Sequence, residues 1–119
     1  MKQFDLKILK VTTYIEDYCC VVSFASDDSP NPDYYLILTR QSSKINGGEP
    51  IEDFEWDMFI DYSGDINLLT GYKIHNSNIV FYFDNGRFEL NLNITIQEIE
   101  DLDKWLSFIF KKTKVSKFD

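Results

Sequence analysis

Apolar and polar residues alternate most clearly between Asp53 and Tyr62. One parity is apolar and consists of Phe54, Trp56, Met58, Ile60 and Tyr62. The other parity carries the acidic residues Asp53, Glu55, Asp57 and Asp61, together with Phe59. Successive side chains of a strand point to opposite faces of a sheet. The pattern therefore predicts a strand with an aromatic-rich core face and a face of carboxylates.

Other apolar runs predict further strands. These are expected over residues 3–11, 18–25, 34–41, 72–75, 79–83 and 87–93. The alternation breaks at Leu9 and Val11, which predicts a bulge or a change of facing there. The run 34–41 is apolar on both parities, as is typical of a central strand. Gly71 predicts a bulge or a close approach of another backbone.

Turn-forming residues separate these strands. Loops or turns are expected at 27–33, 42–50, 63–65, 76–78 and 84–86, and 66–70 is ambiguous. The strongest of these signals is Asn85-Gly86, because this dipeptide favours a two-residue hairpin turn.

The period changes from two to the helical 3.6 after Thr95. Thr95 and Glu98 match a capping box, which begins a helix predicted over 96–112. The apolar residues that recur at helical spacing are Ile99, Leu102, Leu106 and Ile109, with Trp105 beside them. Lysines at 111, 112 and 114 suit the negative end of the helix dipole. The helix is expected to cover one face of the sheet.

These elements predict an α+β fold: a mostly antiparallel β-sheet of about six or seven strands, with one C-terminal helix packed on a sheet face. The 119 residues suit a single domain over 1–119. A composition of 44% hydrophobic and 16% aromatic residues supplies its core.

The net charge of −8 argues against nucleic acid or an anionic membrane as a partner, since both are recognised through Lys and Arg. No apolar run approaches the ~18 residues of a membrane span, and the N-terminus does not match a signal peptide. Cys19 and Cys20 are adjacent and would form a strained disulfide. Two free thiols and a cytoplasmic location are therefore expected.

The acidic residues are concentrated in one window. Residues 45–72 contain no Lys or Arg. A surface of this kind favours a basic protein partner. The residues expected to bind it are Glu52, Asp53, Glu55, Asp57, Phe59, Asp61 and Asp65. Trp56 and Met58 are expected in the core.

No residue pattern identifies a reaction. Glu55 and Asp57 are considered as catalytic carboxylates or as ligands of a hard cation, but no EF-hand spacing is present. His75 is the single histidine, and no Ser-His-Asp or Cys-His arrangement accompanies it. We therefore expect no enzyme activity, no metal and no cofactor.

Several segments together resemble the immunity protein 10 family of bacterial polymorphic toxin systems. They are Asp27-Asp28, Tyr35-Leu36-Ile37-Leu38-Thr39-Arg40, a glycine-containing loop, Asp57-Met58-Phe59-Ile60-Asp61, Gly71-Tyr72 and Ile79-Val80-Phe81-Tyr82-Phe83. The resemblance implies a small cytosolic antidote that binds and blocks a toxin domain and has no catalytic residues. Many toxin domains, nucleases especially, are basic because they hold phosphate backbones.

The leading hypothesis is thus a non-enzymatic immunity protein, monomeric or weakly dimeric, whose acidic strand binds a basic cognate toxin domain. The first alternative is an acidic adaptor or self-associating module, in which Arg40, Arg87 or the lysines of residues 111–117 pair with the acidic row. The second is a hydrolase that uses Glu55 and Asp57, which requires both carboxylates in one concave pocket.

Overall fold

The computed structural model of the chain describes residues 2–16, 18–41, 55–59, 69–84, 86–111 and 113–118, with the backbone alone for 2–4 and 55–59. Its elements are β1 (Lys2–Ile8), β2 (Lys10–Glu16), β3 (Cys19–Ala25), β4 (Tyr35–Gln41), β5 (Glu55–Phe59), β6 (Leu69–His75), β7 (Asn78–Phe83), β8 (Gly86–Leu92), α1 (Ile96–Ile109) and β9 (Ser116–Phe118). The predicted α+β class, with mostly antiparallel strands and one C-terminal helix packed on the sheets, is confirmed.

The strands divide into two sheets. The five-stranded sheet has the order β1-β8-β7-β6-β9, and the four-stranded sheet has the order β2-β3-β4-β5. Both outer strands of the five-stranded sheet run parallel to their neighbours. All other pairings are antiparallel. The central position predicted for residues 34–41 is confirmed, because β4 lies between β3 and β5.

Leu9 is the point at which the chain passes from one sheet to the other. β1 and β2 flank it and belong to different sheets. The Leu9 N–H donates to the Ala25 carbonyl at 3.1 Å, so the corner is tied to the end of β3. The change of facing predicted here is therefore a change of sheet. The strands outnumber the six or seven expected because the first one divides at Leu9 and β9 follows the helix.

The core lies between the two sheets and is closed by α1. The Phe24 and Phe81 rings meet edge to face at 5.9 Å, joining β3 of one sheet to β7 of the other. Phe88, Leu90 and Leu92 of β8 are buried, as their alternation predicts. The four helix residues predicted to face the sheet are all buried, and Trp105 packs half-buried against the core.

The helix begins as predicted and ends earlier than predicted. The Thr95 hydroxyl accepts from the Glu98 N–H at 3.1 Å, and the Glu98 carboxylate accepts from the Thr95 N–H at 3.1 Å. The predicted end at 112 is wrong: α1 ends at Ile109, Phe110 is its C-cap, and its last turn has no basic residue.

A buried arginine from β4 explains this helix end. The Arg40 side chain is 2% exposed. Its guanidinium donates to the Ile109 carbonyl at 2.7 Å and to the Lys111 carbonyl at 2.8 Å. The Thr113 hydroxyl donates to the Phe110 carbonyl at 2.8 Å. The positive charge expected from lysines is thus supplied by Arg40, which also satisfies carbonyls that a helix leaves unpaired.

Both features predicted from the glycine at position 71, a bulge and a close approach of another backbone, are present. The register of β6 and β7 shifts between Leu69 and Gly71, which is a bulge. A Cβ on Gly71 would lie 2.6 Å from Cζ of Phe118 and 2.8 Å from the Ser116 carbonyl oxygen. The glycine therefore allows β9 to pair closely with β6.

Some predicted features lie outside the described residues. They are both ends of the predicted acidic strand (53–54 and 60–62), the loops 42–50 and 63–65, residues 66–68 of the ambiguous segment, and Asn85. Of the helices in the described part of the chain, none is long and apolar enough to cross a membrane.

Candidate functional site

The four-stranded sheet has one face toward the core and one face away from it. Residues such as Phe24 and Leu38 belong to the core. The opposite parity forms what we call the outer face: Lys10, Thr12, Tyr14 and Glu16 of β2, Cys19, Val21, Ser23 and Ala25 of β3, and Tyr35, Ile37, Thr39 and Gln41 of β4. The helix and the five-stranded sheet pack on the core side. On the outer face Tyr14 is exposed, Tyr35, Ile37 and Thr39 are half-buried, and Val21 is buried.

The register of β5 extends the rows of the outer face. Tyr35 pairs with Phe59, Ile37 with Asp57, and Thr39 with Glu55. Directly paired residues of antiparallel strands occupy the same face of a sheet. The buried Leu36 and Leu38 pair with Met58 and Trp56. The backbone register thus separates the two parities of the acidic strand between the two faces.

The predicted partner-binding residues fall into two groups. Glu55, Asp57 and Phe59 belong to β5 and have the register positions given above. Glu52, Asp53, Asp61 and Asp65 lie outside the described residues. The side chains of β5 also lie outside the description, so these residues are located by backbone pairing alone.

A shallow groove of about 260 Å³ opens on the outer face beside β2. Tyr14 lines it and is 42% exposed. Asp27 and Asp28 border the same groove. Hydrogen bonds from the hydroxyl and the backbone N–H of Ser29 lower the pKa of Asp27, the backbone bond measuring 2.8 Å. Lys10 lies 3.8 Å from the Asp28 carboxylate, and both side chains are exposed.

The structure thus adds residues that the sequence pattern did not identify. Tyr14, Asp27 and Asp28 lie on or beside the outer face to which β5 is paired. A signal for Tyr14 exists, because Thr12, Tyr14 and Glu16 form one parity of a short alternating run. That alternation does not reveal that β2 and β5 belong to the same sheet, since strand order depends on distant pairings.

The cysteines are placed as the sequence predicts. Both are free thiols, with Cys19 half-buried and Cys20 buried. Burial, together with the neighbouring Cys19, raises the pKa of the Cys20 thiol from its ordinary 9.0 to about 11. Cys20 is therefore a protonated core residue at neutral pH and is poorly suited to be a nucleophile.

The other candidates for catalysis or metal binding do not come together in the described part of the chain. His75 is exposed and lies beside the two-residue turn Asn76-Ser77. In the described part of the chain, no group of three or more His, Cys, Asp or Glu side chains is placed to hold a metal ion.

Two of the basic residues considered as partners of the acidic row have other contacts in the structure. Arg40 is buried against the helix end and is not part of the surface. Lys117 lies 2.8 Å from the Asp103 carboxylate of α1.

A comparison with models of known protein families and with curated protein sequences finds no match to this chain.

Proposed function

We propose that this chain is a non-enzymatic immunity protein, similar to the immunity protein 10 family, that binds and neutralises a cognate bacterial toxin domain in the cytoplasm. The observation that carries the proposal is the register of β5. It aligns Glu55, Asp57 and Phe59 with the outer-face row of β4, on the side of the sheet opposite the core residues Leu36 and Leu38.

The composition of the outer face supports a protein partner. Tyr14 is 42% exposed on the edge strand β2, while Ile37 and Tyr35 of the inner strand β4 are half-buried beside the register positions of β5. Asp27, Asp28 and Glu16 add charge at its margins. An apolar and aromatic centre with a charged rim is the usual anatomy of a protein interface, and tyrosines are enriched among its strongest contacts.

The charge distribution supports a basic partner. The chain carries a net charge of −8, and the window 45–72 contributes seven acidic residues and no basic ones. An acidic surface raises the association rate of a basic protein by 10- to 1000-fold, as an order of magnitude. A nuclease-like toxin domain presents such a basic surface around its phosphate-binding groove. Occupation of that groove by the outer face would block its substrate.

The first test is neutralisation. The proposal predicts that a toxin domain is encoded next to this chain, and that domain is expressed in a susceptible bacterium with and without the chain. Co-expression is expected to restore growth, and the two purified proteins are expected to form a complex. If the chain forms no complex with that domain and leaves its toxicity unchanged, the immunity function is wrong.

The second test concerns the surface. Replacement of Glu55 and Asp57 by Lys is expected to slow association with the toxin domain roughly tenfold or more at low salt, with the difference shrinking as salt rises. A matched control replaces Asp5 and Glu100 by Lys, which gives the same change in net charge at exposed positions of β1 and α1. Stopped-flow binding measures both rates.

The control separates steering by one surface from the effect of total charge. The Asp5→Lys, Glu100→Lys variant is expected to bind nearly as fast as the wild type. Equal rates for both double variants would exclude β5 as the interface while leaving neutralisation itself to the growth assay. Circular dichroism of each variant confirms that the fold is retained.

A further inference from the structure

Strand β2 forms one edge of the four-stranded sheet, and the segment around it holds most of the exposed large apolar residues in the described part of the chain. No described strand pairs with its outer edge. Six large hydrophobic residues are exposed in the described part of the chain, and four of them lie within residues 9–18: Leu9, Tyr14, Ile15 and Tyr18. Ile15 is 70% exposed. A strand edge of this kind is a template for pairing with another strand.

The other edge strands carry the features that discourage such pairing. β1 contains Lys2, Asp5 and Lys7, while β5 contains Glu55 and Asp57. β9 is only three residues long. In β2 the charged residues stand only at the two ends, as Lys10 and Glu16, and the five residues between them are Val-Thr-Thr-Tyr-Ile. Internal charges and short length protect an edge, and β2 has neither.

The hydrogen-bond ladder fixes which groups β2 presents outward. The Ser26 N–H donates to the Tyr34 carbonyl at 3.0 Å. The backbone groups of the even-numbered residues of β3 therefore bond to β4. Odd-numbered residues of β3 then bond to β2, where they pair with even-numbered residues. The N–H and C=O groups of Val11, Thr13 and Ile15 therefore point away from β3, to the outer edge.

We propose that two copies of this chain pair through β2 as antiparallel strands about a two-fold axis at Thr13. This register pairs Thr13 with itself and Val11 with Ile15 of the second copy, so all three outward-pointing residues exchange hydrogen bonds. It is the register that uses the full length of β2, because a shift by two residues leaves one end unpaired. A shift by one residue would oppose outward groups to groups already bonded to β3.

Charge complementarity selects the same register. It places Lys10 of each copy directly opposite Glu16 of the other, which gives two cross-strand ion pairs. It also places Thr12 opposite Tyr14 on the outer face. Lys10 already approaches Asp28 at 3.8 Å, but that pair is exposed and contributes little.

The neighbourhood of β2 supplies a groove of mixed character for the second copy. The groove measures about 430 Å³ and lies between β2 and α1, and the apolar Val11, Leu102 and Trp105 line it together with the charged Lys10, Glu98 and Asp101. Ile15 of the second copy, opposite Val11, would lie at this groove and lose its exposure to water. The two four-stranded sheets would then form one continuous sheet across the two-fold axis.

The experiment measures the molar mass of the purified chain by sedimentation velocity over a range of concentrations. The salt concentration is about 0.15 M, at which the Debye length is about 8 Å and long-range repulsion between two acidic chains is screened. The mass is expected to rise with concentration toward twice the 14.0 kDa of one chain. A chain that stays monomeric up to its solubility limit overturns the proposal.

Two sets of variants test the register. Thr13→Pro removes an outward N–H without cutting the ladder to β3, and it is expected to abolish dimerisation, whereas Thr13→Val retains the N–H and the dimer. Lys10→Glu and Glu16→Lys each oppose like charges twice and are expected to weaken the dimer roughly tenfold. The double variant Lys10→Glu, Glu16→Lys restores the opposite-charge pairs and is expected to restore the dimer.

The charge variants keep the test decisive if Thr13→Pro fails to fold. A dimer that either single reversal leaves unchanged, or that the double variant does not restore, overturns the antiparallel β2 pairing. Loss of the dimer in the Glu55→Lys, Asp57→Lys variant instead would assign self-association to the acidic strand and also overturn it. None of these outcomes depends on the toxin proposal.

Discussion

Arg40 shows how a single residue can carry a sequence resemblance for a structural reason. It is the distinctive polar residue among the segments that resemble the immunity protein 10 family, and it would be a natural choice as a binding residue. In the structure its guanidinium lies inside the molecule, bonded to the Ile109 and Lys111 carbonyls at 2.7 and 2.8 Å. It joins the end of β4 to the end of α1. Arg40 therefore belongs to the scaffold of this chain and not to its surface.

Replacement of Arg40 by Met is expected to lower the free energy of unfolding by about 3 kcal/mol or more. The apolar chain is retained in part, but two helix-end carbonyls lose charge-assisted hydrogen bonds in a buried place. Urea unfolding followed by circular dichroism measures the loss. Arg40→Lys serves as the comparison and is expected to be destabilised as well, because both bonds come from the Nη1 atom of Arg40 and the shorter lysine side chain does not place its ammonium at that position. An unchanged unfolding midpoint in Arg40→Met would contradict the role assigned to these bonds.

The limit of sequence prediction at this scale follows from the same residue. Local alternation correctly predicts that Phe88, Leu90 and Leu92 are buried, since burial on a half-covered strand depends on parity alone. The partner of Arg40 is 69 residues away, so no local pattern indicates it. The lysines at 111 and 112 instead suggested an ordinary helix end. The early end of α1 and the burial of Arg40 thus both involve the same contact between residues that are far apart in the sequence.

At the scale of elements, glycine at position 71 determines how the last strand joins the sheet. β6 bulges between Leu69 and Gly71, and β9 pairs with the far side of β6 in parallel register. The Phe118 ring packs edge to face on Tyr82 at 5.3 Å. Both the backbone of Ser116 and the ring of Phe118 occupy the space that a Cβ at Gly71 would need. The docking of β9 therefore depends on the absence of a side chain at Gly71.

Gly71→Ala is expected to detach β9 and to destabilise the full chain by roughly 1–3 kcal/mol, the usual range for overpacking. A background truncated after residue 114 provides the control, because it lacks the atoms with which the new Cβ would clash. There the same substitution is expected to have little effect on the urea midpoint. An equal loss in both backgrounds would show that the glycine is required by the bulge itself and not by the approach of β9.

The elements also show that local sequence patterns predict element boundaries but do not predict the sheet topology. The capping box at Thr95 and the break at Leu9 are local signals, and both mark real boundaries. The division into two sheets is not local. The residues on either side of Leu9 read as one strand, and only the pairing of β1 with β8 and of β2 with β3 separates them. The sequence therefore does not predict which strands lie beside β5 in the candidate site, since the neighbours of β5 depend on strand order.

At the scale of the whole molecule, the net charge of −8 acts on folding and on binding in opposite directions. The chain has twenty acidic residues and twelve basic ones. The excess acidic residues repel one another in the compact state, and this repulsion lowers the free energy of unfolding. The same excess of negative charge attracts a basic partner from a distance. Salt screens both effects. An increase in salt should therefore stabilise the folded chain while it slows association with a toxin domain.

The expected result is a higher thermal midpoint at about 0.15 M salt than at low ionic strength. It is measured in the Thr13→Pro chain, so that self-association does not contribute to the midpoint. The Glu55→Lys, Asp57→Lys variant, added to that background, changes the net charge by four, from −8 to −4, and is expected to gain less stability from salt. NaCl and KCl at equal ionic strength should act alike, because screening does not depend on the identity of the ion. A midpoint that falls with salt would show that specific ion pairs such as Lys117–Asp103 outweigh the general repulsion. A midpoint that rises equally in both chains would show that the net charge does not determine the rise.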